Sequence, residues 1–250
     1  MEPSTIQEVL EELDRIIEDA IRNNSYQGIF ACVYRRVTAQ VQQEIVQGNF
    51  EDNQRMEIFD VAFANRYIHA FREYQNKQPI TQSWKIAFDC RQENLTVIQH
   101  LMLGMNAHIN LDLSIAASTA MAGSQILDLK NDFEKINEIL AALTNEVQSK
   151  LGRVSALMFL LDWAGKNTDE KILDFSMKKA RGFAWQNAMA LSALTDQEKP
   201  VRIDQIDHVV HELGKRVKSP RSKFMQFILR IIQNFEEKKV ARIIERLMVE

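Results

Sequence analysis

The stretch NLTVIQHLMLGMNAHINLDLSIAASTAMA, residues Asn94 to Ala122, decides the fold. Its apolar residues point to every side of a helix rather than along one stripe. A helix of this kind is buried centrally or lies in a membrane. Five polar residues interrupt it and argue against a membrane span; they are His100, Asn106, His108, Asn110 and Asp112. The sequence therefore predicts a central helix that carries polar groups into the core.

The rest of the chain shows apolar residues at helical spacing and no alternation typical of strands. A capping box at Ser4 and Gln7 predicts the first helix, and Ser219 with Pro220 predicts the start of the last. The other predicted helices are Tyr26 to Gln47, Asn53 to Asn76, a short one through Trp84, Leu129 to Leu151, Val154 to Trp163, Thr168 to Leu194, which ends before Pro200, Ile203 to Val217, and one or two from Arg221 to Val249. We expect an all-α, single-domain helical bundle of nine or ten helices over residues 1–250.

Bulk composition limits the classes of function. The chain has 250 residues, 46% of them hydrophobic and 26% charged, so a globular core is expected. The net charge of -3 does not indicate a protein that binds nucleic acid. Cys32 and Cys90 belong to no disulfide or metal motif, and the acidic start of the chain does not resemble a signal peptide. These features predict a cytoplasmic protein without a membrane span, and they leave a homo-oligomer open.

His108 and Asp112 are the strongest candidates for chemistry. They lie four residues apart, so their side chains are neighbours on a helix. Such a pair can act as a catalytic dyad or hold zinc or another divalent metal from one side. His100 lies about 12 Å further along the helix and cannot share that ion unless Gly104 breaks the helix. A metal would need further ligands, and Asp132 is the first candidate.

Two other pairs have the spacing of metal ligands, His69 with Glu73 and His208 with Glu212. Together with the central pair they are similar to the ligand pairs of the zinc phospholipase C type of all-helical hydrolase. The other metal ligands of that type have no counterparts here. The apolar stripe of the helix that contains His208 places the side chain of His208 on the solvent side. His69 lies beside the apolar stripe of the helix that contains it. The basic run from Gly214 to Lys223 could bind an anion, but it also fits a solvated corner.

Several short motifs resemble an uncharacterised bacterial family, known only as a domain of unknown function. The most specific motif runs from Gln99 to Leu113 and contains GMNAHIN followed by Asp112-Leu113. The supporting pieces are Phe63-Ala64-Asn65-Arg66-Tyr67, Ser83-Trp84, Ala87-Phe88, Asp132-Phe133, Ile136-Asn137, Ala180-Arg181 and Ala184-Trp185. The resemblance covers roughly Asp60 to Leu194, leaving the terminal helices unmatched. It implies a helical fold and no established activity.

Two functions remain open from the sequence. In the first, the polar residues form a pocket of a hydrolase for a small anionic substrate, metal-assisted or not, with His108 and Asp112 catalytic. The substrate-binding candidates are Asn106, Asn110, Arg66, Arg181, Trp185 and Asn137. In the second, the protein is a non-catalytic scaffold or interaction protein. Asp112 is then neutralised by Arg66 or Arg181 in a structural network.

Overall fold

A computed structural model describes residues 2–121, 123–155 and 177–248. Over these residues the chain is helical, which confirms the all-α prediction. Eleven α-helices are described: α1 Ile6–Arg22, α2 Gln27–Val46, α3 Asn53–Gln75, α4 Gln82–Asp89, α5 Val97–Ala107, α6 Leu113–Ala120, α7 Lys130–Val154, α8 Met177–Ser192, α9 Lys199–Lys218, α10 Lys223–Phe235 and α11 Val240–Met248. None of the described helices is both long enough and apolar enough to cross a bilayer.

The predicted central helix consists of α5, a π-helical turn over His108–Asp112, and α6. It begins at Val97, after a capping box formed by Thr96 and Gln99. From residue 96 to residue 118 every side chain is buried except Met105 and Ile109, which are half-buried. The absence of a polar face therefore does place this helix at the centre. It packs against α2, α3, α4, α8 and α9.

Three starting points of helices differ from the sequence prediction. Thr5, rather than Ser4, caps α1. Pro200 lies in the first turn of α9 instead of ending the region before it, because proline needs no hydrogen-bond acceptor there. Ser222, rather than Ser219, caps α10 and accepts a hydrogen bond from the Met225 N–H. The predicted helix from Val154 to Trp163 and the first part of the one from Thr168 fall largely outside the described residues.

Buried carboxylates from distant parts of the chain cap three helices. Asp132 accepts hydrogen bonds from the N–H groups of Glu51 and Asp52 at the start of α3. Asp207 on α9 does the same for Gln82 and Ser83 at the start of α4. Glu236 accepts from the first residue of α5 at 2.9 Å. Since a negative charge is favourable at a helix N-terminus, these contacts fix how the helices meet.

Gly104 lets α2 approach the central helix. A Cβ atom at this position would lie 2.5 Å from Cγ of Phe30. Phe30 is itself packed against Tyr67 and Trp84, with ring centroids 5.0 and 5.8 Å away. The aromatic ring therefore has little room to move, and the glycine is required by packing rather than by backbone conformation.

Replacing Gly104 with alanine should destabilise the protein by about 1–3 kcal/mol, as overpacking does in other cores. The matched control is Gly152→Ala on α7, where an added Cβ meets nothing within 4 Å. That control should be neutral or stabilising by about 0.5–1 kcal/mol, because alanine favours the helix. Urea denaturation measures both. Equal effects of the two substitutions would contradict the packing role of Gly104.

Candidate functional site

The π-helical turn forms the centre of the candidate site. The His108 Nδ1 atom lies 3.0 Å from Oδ2 of Asp112, so the predicted neighbours do form a pair. The same Oδ2 accepts a hydrogen bond of 2.9 Å from Nε1 of Trp84 on α4. All three residues are 1% exposed. Turns of π-helix occur often at functional sites.

Aromatic rings surround His108. Phe63 stacks on the imidazole with centroids 3.8 Å apart and planes 10° apart. Tyr34 meets it edge-on at 4.4 Å, and Phe30 does so at 5.5 Å. The ring is thus held in one orientation by packing and by the Asp112 hydrogen bond.

The environment keeps His108 neutral and leaves one nitrogen available. Burial lowers the pKa of His108; Asp112 acts in the opposite direction, and the positive charge of Arg66 lowers the pKa further. A carboxylate only accepts hydrogen bonds, so we assign the proton of the neutral ring to Nδ1. Nε2 then carries the lone pair, and it is buried without a hydrogen-bond partner. The protonation state and the fixed orientation of this imidazole are those that general-base chemistry requires.

His108 lines a cavity of about 90 Å³ between α2, α3, the central helix, α7 and α8. This is space for a few water molecules or for part of a small ligand. Its walls are mostly aliphatic and aromatic. The residues with polar side chains around it are Tyr34, Asp60, His108 and Arg181.

Arg181 supplies the positive charge of the cavity. Its Nε atom donates to Oδ1 of Asn137 at 2.8 Å, and an Nη atom donates to the Phe133 carbonyl at 2.5 Å. The guanidinium lies 4.3 Å from the Phe133 ring centroid. Arg181 is 4% exposed and pairs with no carboxylate in the described part of the chain. Burial without such a partner lowers the pKa of Arg181 to about 9.

A surface groove lies on the other side of Arg181. It has a volume of about 780 Å³ and is lined by residues of α7 and α8, including Asn137, Arg181 and Trp185. The ring of Trp185 packs on Phe133 with centroids 4.9 Å apart. Arg181 therefore lines both the outer groove and the inner cavity, and three of the predicted substrate-binding residues line the groove.

Asn106 and Asn110 lie elsewhere. Asn110 donates to Oδ1 of Asn106 at 3.0 Å, and Asn106 donates to the Val210 carbonyl of α9 at 2.8 Å. Neither residue lines the cavity. The pair joins the central helix to α9.

The structure brings neither Arg66 nor Asp132 into direct contact with the dyad. Arg66 lines an outer groove beside Glu2 to Thr5, and neither Arg66 nor Arg181 forms an ion pair with Asp112. Asp132 instead pairs with Arg55 at 2.6 Å. The predicted metal set of His108, Asp112 and Asp132 is not assembled, and no group of three potential ligands forms among the described residues.

The remaining histidine pairs lie at the surface or far from the dyad. His69 contacts Glu73 at 3.1 Å with 64% of its side chain exposed. His208 is exposed, and Glu212 pairs with Lys215. In the basic run, Lys218 pairs with Glu93. His100 stacks on Tyr26 at a centroid distance of 4.4 Å, on the unbroken helix α5.

Sequence reasoning missed Trp84 and Asp60 as members of the site. Trp84 carried no periodic signal, because the helix that contains it is only eight residues long. For Asp60 the sequence did contain an indication, which is its position on a helix face. Asp60 lies four residues after Met56 and three before Phe63, on the apolar face of α3.

Replacing Asp112 with asparagine should lower the pKa of His108 further, because Asp112 is what opposes the effect of burial. The loss of charge-assisted hydrogen bonds should also destabilise the protein by about 1–3 kcal/mol. NMR titration of the imidazole and denaturant unfolding measure the two effects. Asn110→Ala, on the opposite side, is the control and should leave the His108 titration unchanged. A raised His108 pKa in Asp112→Asn would refute the assignment.

His100 should make stability depend on pH. Burial lowers its pKa to about 4, from about 6.5 for an unfolded histidine. Below pH 6.5 His100 binds a proton in the unfolded chain but stays neutral in the folded protein. This contribution to stability is therefore full above pH 6.5 and declines by roughly 1.4 kcal/mol per pH unit down to about pH 4. His100→Phe, which keeps the stack on Tyr26, should show a smaller decline in unfolding free energy between pH 7 and 5. A wild-type slope in that variant would contradict the role of His100.

Searches of the curated proteins and of the solved structures found no match. Residues 6–220 match a family of unknown function, DUF5995. The match is wider than the resemblance in the sequence motifs, since it includes α1 and α2, while α10 and α11 lie outside it. The chain belongs to the family of unknown function DUF5995.

Proposed function

We propose that the protein binds a small molecule with an apolar body and one anionic group, and hydrolyses it with His108 as the general base. The observation that carries the proposal is the unpartnered Nε2 of His108 beside an apolar cavity, with Nδ1 held by Asp112. Perturbed, buried ionisable groups around a cavity are typical of functional sites.

Arg181 is proposed to bind the anionic group. It is a buried cation without a carboxylate partner among the described residues, and it lines both the groove and the cavity. A carboxylate bound there would compensate the guanidinium and gain charge-assisted hydrogen bonds. Asn137 orients the guanidinium, and Trp185 lines the groove that leads to it.

The reaction proposed is hydrolysis of an ester at His108. Nε2 removes a proton from a water molecule while the water oxygen forms a bond with the carbonyl carbon. When the tetrahedral intermediate collapses, the carbon–oxygen bond to the leaving alcohol breaks, and the protonated Nε2 returns the proton to that alcohol. Asp112 stabilises the imidazolium formed between these steps. The products are an acid and an alcohol.

The competing function is a non-catalytic scaffold, in which the dyad is a structural pair. The close packing of Phe63 and Tyr34 on the imidazole favours it. Under this alternative His108 would contribute to stability alone, and no ester would be turned over.

Monomethyl succinate tests the proposal, since it has a carboxylate for Arg181 and an ester for His108. We expect methanol release by the wild type, followed by NMR, and a rate about 10²–10⁴-fold lower for His108→Gln. His69→Gln, which alters an exposed histidine, should keep the wild-type rate. No turnover by the wild type, or equal turnover by His108→Gln, would contradict a hydrolase that uses His108.

A further inference from the structure

Asp60 is a buried acid in the same cavity as His108. It is 7% exposed and lies on α3, one turn before Phe63, whose ring stacks on His108. Its Oδ2 atom is buried and has no hydrogen-bond partner. Asp60 forms no ion pair with any described residue. A buried carboxyl group left this way is unfavourable for folding alone and needs another explanation.

The surroundings of Asp60 favour its neutral form. Burial, together with the negative charge of Glu57 on the same helix, raises the pKa of Asp60 to about 7. From α2, Tyr34 faces it as a hydroxyl whose own pKa is raised by burial and by Asp60. His108 from the π turn and Arg181 from α8 line the same cavity. Around neutral pH a large fraction of Asp60 is therefore a carboxylic acid, which can donate one hydrogen bond.

We propose that Asp60, as a neutral carboxylic acid, donates a hydrogen bond to the carbonyl oxygen of the molecule bound beside His108. The substrate class of the cavity is then a small carboxylic ester that carries a second, anionic group for Arg181. This inference rests on the proposed function, because it assigns a partner to the ester that His108 would attack.

The chemistry needs such a donor. When water adds to the ester, negative charge develops on the carbonyl oxygen, and a donor placed there stabilises the transition state by about 10²–10³-fold in rate. Asp60 keeps its proton throughout, so the proton balance of the His108 reaction is unchanged. A buried aspartic acid kept neutral to donate to a developing oxyanion is known chemistry in other enzymes.

A cationic ligand is the alternative that the charges disfavour. An ionised Asp60 could hold an ammonium group, and a substituted amine would fit apolar walls. Arg181 lines the same cavity, so an ammonium group bound there would also lie in the field of a buried guanidinium. The carbonyl compound satisfies Asp60, His108 and Arg181 together.

Two substitutions separate these roles. Asp60→Asn keeps a hydrogen-bond donor without an ionisable group, whereas Asp60→Leu has neither. For monomethyl succinate we expect kcat to fall about 10²–10³-fold in Asp60→Leu and less than about tenfold in Asp60→Asn. KM should rise in Asp60→Leu, which also loses the hydrogen bond to the bound ester, and change little in Asp60→Asn. Unfolding midpoints should equal or exceed that of the wild type, because an unpartnered carboxyl has been removed. Equal losses in the two variants, or none in Asp60→Leu, would overturn the proposal.

A ligand that does not react separates failure of this inference from failure of the hydrolase. Succinamate has the same carboxylate and an amide carbonyl, and calorimetry measures its binding. We expect its affinity to fall by more than about tenfold in Asp60→Leu and by less than about threefold in Asp60→Asn. If these affinities are found but no ester is hydrolysed, the donor role of Asp60 would be supported and the hydrolase activity contradicted. Ester turnover that Asp60→Leu leaves unchanged would contradict the donor role of Asp60 alone. If the protein neither hydrolysed the ester nor bound succinamate, both the donor role and the hydrolase would be contradicted.

Infrared spectroscopy of the wild type gives a readout that does not depend on folding of the leucine variant. The carboxylic acid carbonyl stretch of Asp60 should be present at pH 6, absent in Asp60→Asn, and shifted when succinamate binds. A spectrum without this band would contradict a neutral Asp60. Binding of butylamine that is stronger than that of succinamate would show a site for cations instead.

Discussion

The central helix has no polar face, so its polar groups depend on partners inside the protein rather than on water. The partners come from different helices. Asp112 accepts from Trp84 on α4, Asn106 donates to a carbonyl of α9, and Gln99 donates to carbonyls at the end of α9. Apolar packing tolerates a helix that slides or rotates by a residue, but these hydrogen bonds do not. They fix the register in which the surrounding helices meet the core.

Buried carboxylates extend this principle to helix ends. Asp132, Asp207 and Glu236 each cap a helix that lies far away in the sequence. Glu236 follows α10, which lies beyond the region matched to the family, yet it binds the first N–H of the central helix. The last two helices are thereby connected to the most buried part of the fold, and their partners cannot be identified from local sequence.

The sequence predicts what depends on one helix and fails where two helices must be placed relative to each other. The central helix follows from apolar residues on all sides, and the His108–Asp112 pair follows from a spacing of four. The same reasoning placed Arg66 and Asp132 near the dyad, because a helical face reveals that a side chain is buried but not what it faces. Pro200 was ambiguous for another reason: proline is compatible both with the end of one helix and with the first turn of the next. Asp60 was overlooked because its neighbours Phe59 and Phe63 suggest ordinary core packing.

The choice between a scaffold and a site depends on which polar groups lack partners. Asn106, Asn110 and Gln99 hydrogen-bond within the protein, as structural polar residues do. Around the cavity, Nε2 of His108 and Oδ2 of Asp60 have no partner, and Arg181 has no carboxylate in the described part of the chain. Unpartnered buried groups also occur away from the cavity, as at Nε2 of His100 and the hydroxyl of Tyr67. Apolar residues of similar volume would serve a purely structural core at least as well. Three such groups around one cavity are instead expected where stability is given up for binding or catalysis. Three ionisable groups that line one cavity, His108, Asp60 and Arg181, therefore favour a functional site more than the dyad alone does.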